Sequence, residues 1–167
     1  MNVDELLDAA KPQTRTVPVC LDGTIAEPLE DLRARWAALA SAGGDTLAPS
    51  PELAEVKAQI KALEDKADAA TKHIVVQSIG GRAWRKLVAE HPPTDPQYLW
   101  DLDTFPPAAV AACCVDPQLT VEQAERLADV LTDGQWDKLY KTVLLVNRGD
   151  DLIPKYGPGI GLLPTSE

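Results

Sequence analysis

The sequence lacks the features that direct a chain into or across a membrane. It contains no apolar run approaching the ~18 residues of a membrane span, and its first stretch, MNVDELLDAAK, lacks the basic and apolar regions of a signal peptide. Basic residues are also few: 16 lysines and arginines stand against 26 aspartates and glutamates, a formal net charge of -10. Such a charge repels phosphate backbones and anionic lipid heads. We therefore expect a cytoplasmic protein that binds neither nucleic acid nor membrane.

Cysteine and histidine are too few and too scattered to predict a disulfide framework or a metal site. The three cysteines are an odd number, and Cys113 is adjacent to Cys114, a spacing that rarely serves a structural disulfide. Reduced thiols are therefore expected. His73 and His91 lie far apart, and neither lies near the thiols at ligand spacing. We expect no metal ion and no other cofactor.

Two helical patterns follow one another in the first half of the chain. From Glu27 apolar residues recur at steps of three and four until Gly43, and a second run begins where Ser50 can cap a helix and Pro51 can start it. The two apolar seams are Leu29, Leu32, Trp36, Leu39 and Leu53, Val56, Ile60, Leu63, Ala67, Ala70. Because these seams are narrow and the connection between them is short, residues 27–72 are predicted to form an antiparallel helical hairpin.

Short β-branched runs flank the hairpin. RTVPVCL (15–21) and HIVVQSI (73–79) each predict a strand. Since an antiparallel hairpin brings its two ends together, these strands are expected to pair. Pro18 has no N–H to donate, so the first strand is expected at a sheet edge or at a bulge. The predicted fold class is mainly α (α+β), with a small two-stranded β ribbon that carries the hairpin.

The second half of the chain predicts a compact bundle of about four short helices. One helix runs from residue 82 to 90, between two glycines and two prolines, and another begins at the proline pair 106–107 with Asp103 or Thr104 as its cap. Two T-x-x-Q capping boxes then start further helices at Thr120 and Thr132. The side chains expected in the core are Trp84, Leu87, Phe105, Trp136 and Tyr140.

These elements predict one domain between two irregular ends. Residues 1–13 are expected to form a flexible amino-terminal arm, and residues 14–149 a single domain. Residues 150–167 contain glycines and prolines throughout and show no hydrophobic period, so a disordered tail is expected. The GPGIG stretch (157–161) within it lacks the preceding strand and following helix that a phosphate-binding loop requires.

No catalytic constellation emerges from the residue types. Cys113 or Cys114 with His91 would supply a nucleophile and a base, but small buried side chains in an alanine-rich helix are the better interpretation of the cysteines. Asp101 and Asp103 are typical of residues that precede a helix, rather than of an acid/base pair. His91 is expected to contact the end of its own helix. The residues therefore favour an acidic helical binding domain without enzymatic activity.

Three segments in fixed order resemble the tail assembly chaperones of long-tailed bacteriophages of actinobacteria. After strand, hairpin and strand come GGRAWRKLVAEHPP, DTFPPAAVAACCVDPQLT and LTDGQWDKLYKTVLLVNRG, so the resemblance covers roughly residues 14–149. The matching positions are Trp84, His91, Pro92, Pro93, Phe105, Pro106, Pro107, Cys113, Cys114, Pro117, Trp136, Asp137 and Asn147. The chain departs from that family at Gly80-Gly81, where a Leu-Pro-like step is usual, and at the alanine-rich stretch 108–112.

The resemblance implies a non-enzymatic protein that binds the phage tape-measure protein and keeps it soluble while the tail tube assembles. It implies further partners, the tail tube protein and a longer, frameshifted form of the chain itself. It also implies a location in the cytoplasm of the infected host and absence from the mature virion. Two alternatives stay open at this point: a structural virion component, such as a tail or head-tail connector protein, and a cysteine-dependent enzyme.

The longer form would arise from a programmed minus-one ribosomal slip near the end of the reading frame. Ile153, Pro154 and Lys155 can be encoded as ATC-CCA-AAG, which contains the slippery heptamer C-CCA-AAG. A slip there would follow the last predicted helix, so the folded domain would be kept and only the tail exchanged. These three residues are the predicted frameshift position.

Overall fold

A computed structural model describes residues 2–42 and 50–149 of the chain. Within these residues the fold is α+β, with seven helices and one three-stranded sheet. The helices are α1 (Val3–Ala9), α2 (Ala26–Ala42), α3 (Pro51–Ala70), α4 (Gly81–Glu90), α5 (Phe105–Cys113), α6 (Val121–Val130) and α7 (Asp133–Arg148). The strands are β1 (Thr14–Cys20), β2 (Thr71–Gln77) and β3 (Cys114–Asp116). Thr16–Ile74 forms one compact unit, here called the hairpin unit, and the rest of the described chain forms the other, the helical unit.

The hairpin unit contains the two helices that the seams predict. Helix α3 begins at Pro51, and the hydroxyl of Ser50 accepts a hydrogen bond from the backbone N–H of Leu53, as expected of a cap. Helices α2 and α3 pack against each other. The apolar seam between them is only partly buried. Val56 is 1% exposed, whereas Trp36 remains 40% exposed. The paired helices therefore leave part of their apolar seam open to solvent.

The sheet has three strands, so the prediction of a two-stranded ribbon was wrong. The strand order is β1-β2-β3, which places β1 at an edge, as Pro18 predicted. Strand β3 pairs antiparallel with β2, with Val76 opposite Cys114 and Val75 opposite Asp116 across an irregularity in the register. Cys114 was expected to lie with Cys113 in the alanine-rich helix, but α5 ends at Cys113 and Cys114 begins β3. A strand of three residues is too short for a hydrophobic period to distinguish it from the end of a helix.

The helical unit is built around α5 rather than as a regular bundle, which corrects the predicted bundle. Helix α5 packs against α4, α6 and α7 in turn and then continues directly into β3. It is buried on almost every side, as its small apolar residues predict. Its buried residues are Phe105, Pro107, Ala108, Ala109, Val110 and Cys113. The capping boxes of α6 and α7 form as expected, with the hydroxyls of Thr120 and Thr132 bonded to the N–H groups of Gln123 and Gln135.

The five side chains predicted for the core differ in burial. Trp84 and Phe105 are buried, whereas Leu87, Trp136 and Tyr140 are only half-buried. The buried positions of α7 are instead Leu139, Val143 and Val146. The apolar stripe of α7 is wider than the face that meets α5, so Trp136 and Tyr140 lie at its margin. Burial still raises the pKa of Tyr140 to about 12.

Helix α1 lies within the segment predicted as an amino-terminal arm. Its start is fixed by a reciprocal cap, in which the side chain of Asn2 accepts from the N–H of Asp4 and the carboxylate of Glu5 accepts from the N–H of Asn2. None of its residues is buried. The helix is therefore locally stabilised, but its apolar side chains are open to solvent.

Candidate partner-binding site

Phe105 is the centre of an aromatic cluster in the helical unit. This side chain, the only phenylalanine of the sequence, is completely buried at the start of α5. Its ring stacks on that of Trp100, with centroids 4.5 Å apart, and meets Trp84 edge-on at 5.4 Å and His91 edge-on at 5.9 Å. Stacked and edge-on pairs at these distances are favourable beyond the area they bury. The cluster thus holds α4, α5 and the 91–104 loop together.

Asp101 orders the 91–104 loop that carries Trp100. Its Oδ1 accepts hydrogen bonds from the backbone N–H of Thr104 at 2.8 Å and of Asp103 at 3.1 Å, and its Oδ2 accepts one from the hydroxyl of Thr94. These bonds, that from the Thr104 N–H foremost, lower the pKa of Asp101 below its ordinary value. The carboxylate therefore orders the turn that leads into α5, whereas Asp103 or Thr104 was predicted to cap that helix. Thr104 itself makes no side-chain cap.

The position of His91 follows from the same network. Its backbone N–H bonds to the carbonyl of Val88 at the end of α4, while its ring Nδ1 lies 2.9 Å from the hydroxyl oxygen of Thr104. That hydroxyl has one proton and donates it to Asp101 Oδ1 at 2.9 Å, since an ionised carboxylate can only accept. The imidazole must then carry a proton on Nδ1 and donate to Thr104. His91 thus connects the end of its own helix to the entry of the next one.

A solvent-accessible groove of about 240 Å³ lies over this cluster, here called the aromatic groove. It is lined by Trp84, Arg85, Val88, Leu99, Trp100 and Arg148. Leu99 is 64% exposed, and its neighbours Tyr98 and Leu102 are also largely exposed. The guanidinium carbon of Arg148 lies 5.3 Å from the centroid of the Trp100 ring, within range of a cation–π interaction. The groove therefore combines an apolar floor with two cationic side chains.

This combination is chemically suited to the binding of an amphipathic segment. Apolar side chains of a partner would be removed from water against Leu99, Val88 and Trp100, and an acidic side chain beside them could pair with Arg85 or Arg148. None of the described residues that line it is a nucleophile or a general base. Of the predicted core residues Trp84, Leu87, Phe105, Trp136 and Tyr140, all of which the structure describes, only Trp84 lines the groove. Phe105 packs beneath it against Trp84 and Trp100.

Leu99, Trp100 and Arg148 line the groove but were not predicted from the sequence as candidate site residues. A signal was available in the first two, because the run Tyr-Leu-Trp occurs in a loop rich in proline and aspartate, where large apolar residues have no helix or strand face to occupy. Arg148 lies at the end of α7, 48 residues later in the sequence, and no local pattern connects it to the loop.

The two adjacent cysteines lie away from this groove and are buried. Burial raises the pKa of Cys113, against a smaller lowering by a hydrogen bond from Asn147, and raises the pKa of Cys114 to about 12. Both are therefore neutral thiols at pH 7. The polar partner of the Cys113 sulfur is Asn147, and the ring of His91 contacts Thr104 and Phe105 instead. The described chain thus brings no base to these thiols.

Three further expectations from the sequence concern metal binding, membrane crossing and the frameshift position. Within residues 2–42 and 50–149 no group of three or more His, Cys, Asp or Glu side chains is placed to hold a metal ion. No helix in these ranges is both long enough and apolar enough to cross a membrane. The predicted frameshift position, Ile153, Pro154 and Lys155, lies outside the described residues.

Comparison of the chain with protein-family models, with curated proteins and with solved structures found no match. The functional assignment therefore depends on the sequence pattern and on the geometry of the aromatic groove.

Proposed function

We propose that the protein is a non-enzymatic assembly chaperone of a long-tailed bacteriophage, which binds the tape-measure protein and keeps it soluble during assembly of the tail tube. The proposal comes from the resemblance of three sequence segments to such chaperones. One structural observation supports it: the aromatic groove presents Leu99, which is exposed, and Trp100, which is half-buried, beside Arg85 and Arg148. A soluble domain rarely leaves large apolar side chains exposed together unless they contact a partner.

The chemistry of the groove fits an amphipathic helical client. A client helix would place apolar residues at steps of three and four against Val88, Leu99 and Trp100. Acidic residues beside that stripe would reach Arg85 and Arg148. The excess of negative charge on the rest of the chain would then keep the complex in solution, because copies that carry a net charge of -10 repel one another.

Co-expression with the tape-measure protein tests this role directly. We expect the wild-type chain to raise the soluble fraction of the tape-measure protein and to co-purify with it. Leu99→Asp should abolish both effects, because it places a carboxylate in the apolar floor of the groove. Val130→Asp is the matched control, since Val130 is also exposed in the helical unit but does not line the groove.

The melting temperatures of both variants should stay close to that of the wild type, because both substituted side chains are exposed. Equal solubilisation by Leu99→Asp and wild type would contradict the assignment of the groove. A tape-measure protein that is equally soluble without the chain would contradict the chaperone role itself.

Location in the infected cell separates the proposal from a structural role in the particle. A chaperone acts in the host cytoplasm and should be absent from purified virions, whereas a tail or connector protein stays in them. Mass spectrometry of purified particles at a depth that detects minor tail proteins distinguishes the two. Regular recovery of this chain from particles would favour the structural alternative.

The longer form and the tail tube protein are proposed as further partners. The gene decides whether the frameshift position is real: codons other than ATC-CCA-AAG at Ile153, Pro154 and Lys155 exclude it, as does the lack of an open minus-one frame beyond the stop. Where the heptamer is present, a synonymous change of the Pro154 codon to CCG should remove the longer product. The 167-residue product should be unaffected.

A further inference from the structure

The hairpin unit has a second open groove with a chemistry of its own, here called the hairpin groove. It lies between α2 and α3 and has a volume of about 390 Å³. It is lined by Arg33, Trp36, Lys57, Ile60, Lys61 and Glu64. Trp36 and Ile60 supply an apolar floor, and the lining has three basic side chains against one carboxylate. In a chain with a net charge of -10, this is a locally basic apolar surface.

Two of the three cations of the groove form ion pairs, and the third forms none with the part of the chain that the structure describes. Arg33 pairs with Glu64 at 2.8 Å, and Lys61 pairs with Asp65 at 3.0 Å on the same helix. Lys57 makes no ion pair within the described residues. The groove therefore holds one uncompensated positive charge beside exposed Trp36, so an occupant that is both apolar and acidic fits it.

Helix α1 has the complementary pattern. Its apolar residues Val3, Leu6 and Leu7 recur at steps of three and four on one face, and each is more than half exposed. Asp4 and Asp8 are one turn apart beside this face, and the helix has no basic residue. A helix this short is only marginally stable on its own in water, so a surface that buries its apolar face would stabilise it.

We propose that α1 of one copy of the chain docks in the hairpin groove of a second copy. Val3, Leu6 and Leu7 would cover Trp36 and Ile60, while acidic residues of α1 would face the unpaired Lys57. The occupant is assigned to a second copy because the chain as it folds leaves every residue of α1 exposed. In that arrangement the apolar face and the acidic residues of α1 would contact the apolar floor and the basic side chain of the groove of the other copy. This inference does not depend on the proposed chaperone role.

Sedimentation equilibrium of the full chain over a wide concentration range tests the proposal. The wild type should show an average mass that rises with concentration, because self-association follows mass action. Leu6→Asp should raise the dissociation constant at least about tenfold, as expected for the loss of one buried leucine contact. Lys57→Glu should also raise it, while Lys138→Glu, an equal change of charge on exposed α7 surface, should leave it unchanged.

Mixing the two defective variants separates docking between copies from misfolding. Leu6→Asp retains an intact groove and Lys57→Glu retains an intact α1, so an equimolar mixture should associate more strongly than either variant alone. Adding Asp4→Lys and Asp8→Lys to Lys57→Glu should restore self-association by exchanging the charges.

A wild type that stays monomeric at every concentration overturns the proposal, whether α1 is then free or docked within its own chain. The proposal is also overturned if neither Leu6→Asp nor Lys57→Glu changes the dissociation constant. It is overturned as well if the mixture of the two variants stays monomeric.

Discussion

The side-chain amide of Asn147 donates a hydrogen bond to the sulfur of Cys113 across 3.2 Å. The same amide nitrogen donates to the carbonyl of Val143, and its oxygen accepts from the N–H of Ile79 and the hydroxyl of Ser78. One half-buried side chain thus connects α7 to α5 and to the segment that leaves β2. Asn147 lies on the apolar stripe of α7, where a polar residue is retained only if its hydrogen bonds are satisfied.

Asn147→Ala should therefore destabilise the protein by about 1–3 kcal/mol, because it leaves the N–H of Ile79 without its partner in a partly buried position. Chemical denaturation measures this difference. Lys138→Ala, on an exposed face of the same helix, is the matched control and should change stability by less than about 0.5 kcal/mol. Equal midpoints for the two variants would show that the Asn147 network contributes nothing to stability.

Phe105→Ala should cost about 3–5 kcal/mol, the usual range for removing a fully buried aromatic side chain. The loss removes three ring contacts at once, with Trp84, His91 and Trp100. Leu102→Ala, in the exposed part of the adjacent loop, should cost less than about 0.5 kcal/mol. Thermal melting compares the two, and a small effect of Phe105→Ala would contradict its central place in the cluster.

Val56→Asp tests the register of the hairpin. Val56 is the buried residue of α3, so a carboxylate there should cost roughly 3 kcal/mol or more. Ala58→Asp introduces the same residue two positions away on an exposed face, where only helix propensity changes, and should cost less than about 1 kcal/mol. If circular dichroism melts gave both variants the same midpoint, the seam would have to be assigned to another face.

The carboxylate of Asp101 should make a pH-dependent contribution to the stability of the fold. Since its pKa in the folded chain lies below the ordinary value of 3.8, its carboxylate stabilises the fold at pH values above 3.8. That contribution is lost as the pH falls from 3.8 through the folded pKa. Asp101→Asn should therefore be less stable than the wild type at pH 7, and the difference should shrink below pH 3.8. An Asp101→Asn difference that is constant down to pH 2 would contradict it.

The thiols of Cys113 and Cys114 should react with iodoacetamide only after unfolding. With its pKa at about 12, Cys114 is ionised at pH 8 in roughly one molecule in ten thousand, and its burial blocks access as well. Peptide mass spectrometry after labelling in the presence and absence of denaturant measures each site separately. Rapid labelling of either cysteine in the native protein would revive the alternative of a cysteine-dependent enzyme.

Much of the helical structure was predictable because its signals are local. The period of α3 and the cap at Ser50 depend on residues within one or two turns of each other. The capping boxes at Thr120 and Thr132 are equally local. The pairing of β1 with β2 followed from a single geometric step, since an antiparallel hairpin brings its flanking strands together.

The features that escaped prediction depend on contacts between distant segments. Strand β3 exists because Cys114 and Asp116 meet β2, and nothing within three residues indicates that partner. The half-burial of Trp136 depends on the width of the surface that α5 offers to α7. In the aromatic groove Arg148 lies over Trp100. This contact depends on the folded position of the end of α7 over the loop, so no local sequence pattern indicates it.

The aromatic cluster also gives the protein an intrinsic optical signature. Trp100 lies at 25° and Trp84 at 78° to the ring of Phe105, so two indoles are held in fixed, asymmetric orientations around one phenyl group. Fixed aromatic packing of this kind produces near-ultraviolet circular dichroism, which disappears when side chains lose their order even if helices persist. Because Trp100 belongs to the 91–104 loop, this signal reports the order of the loop separately from the helical content of the chain.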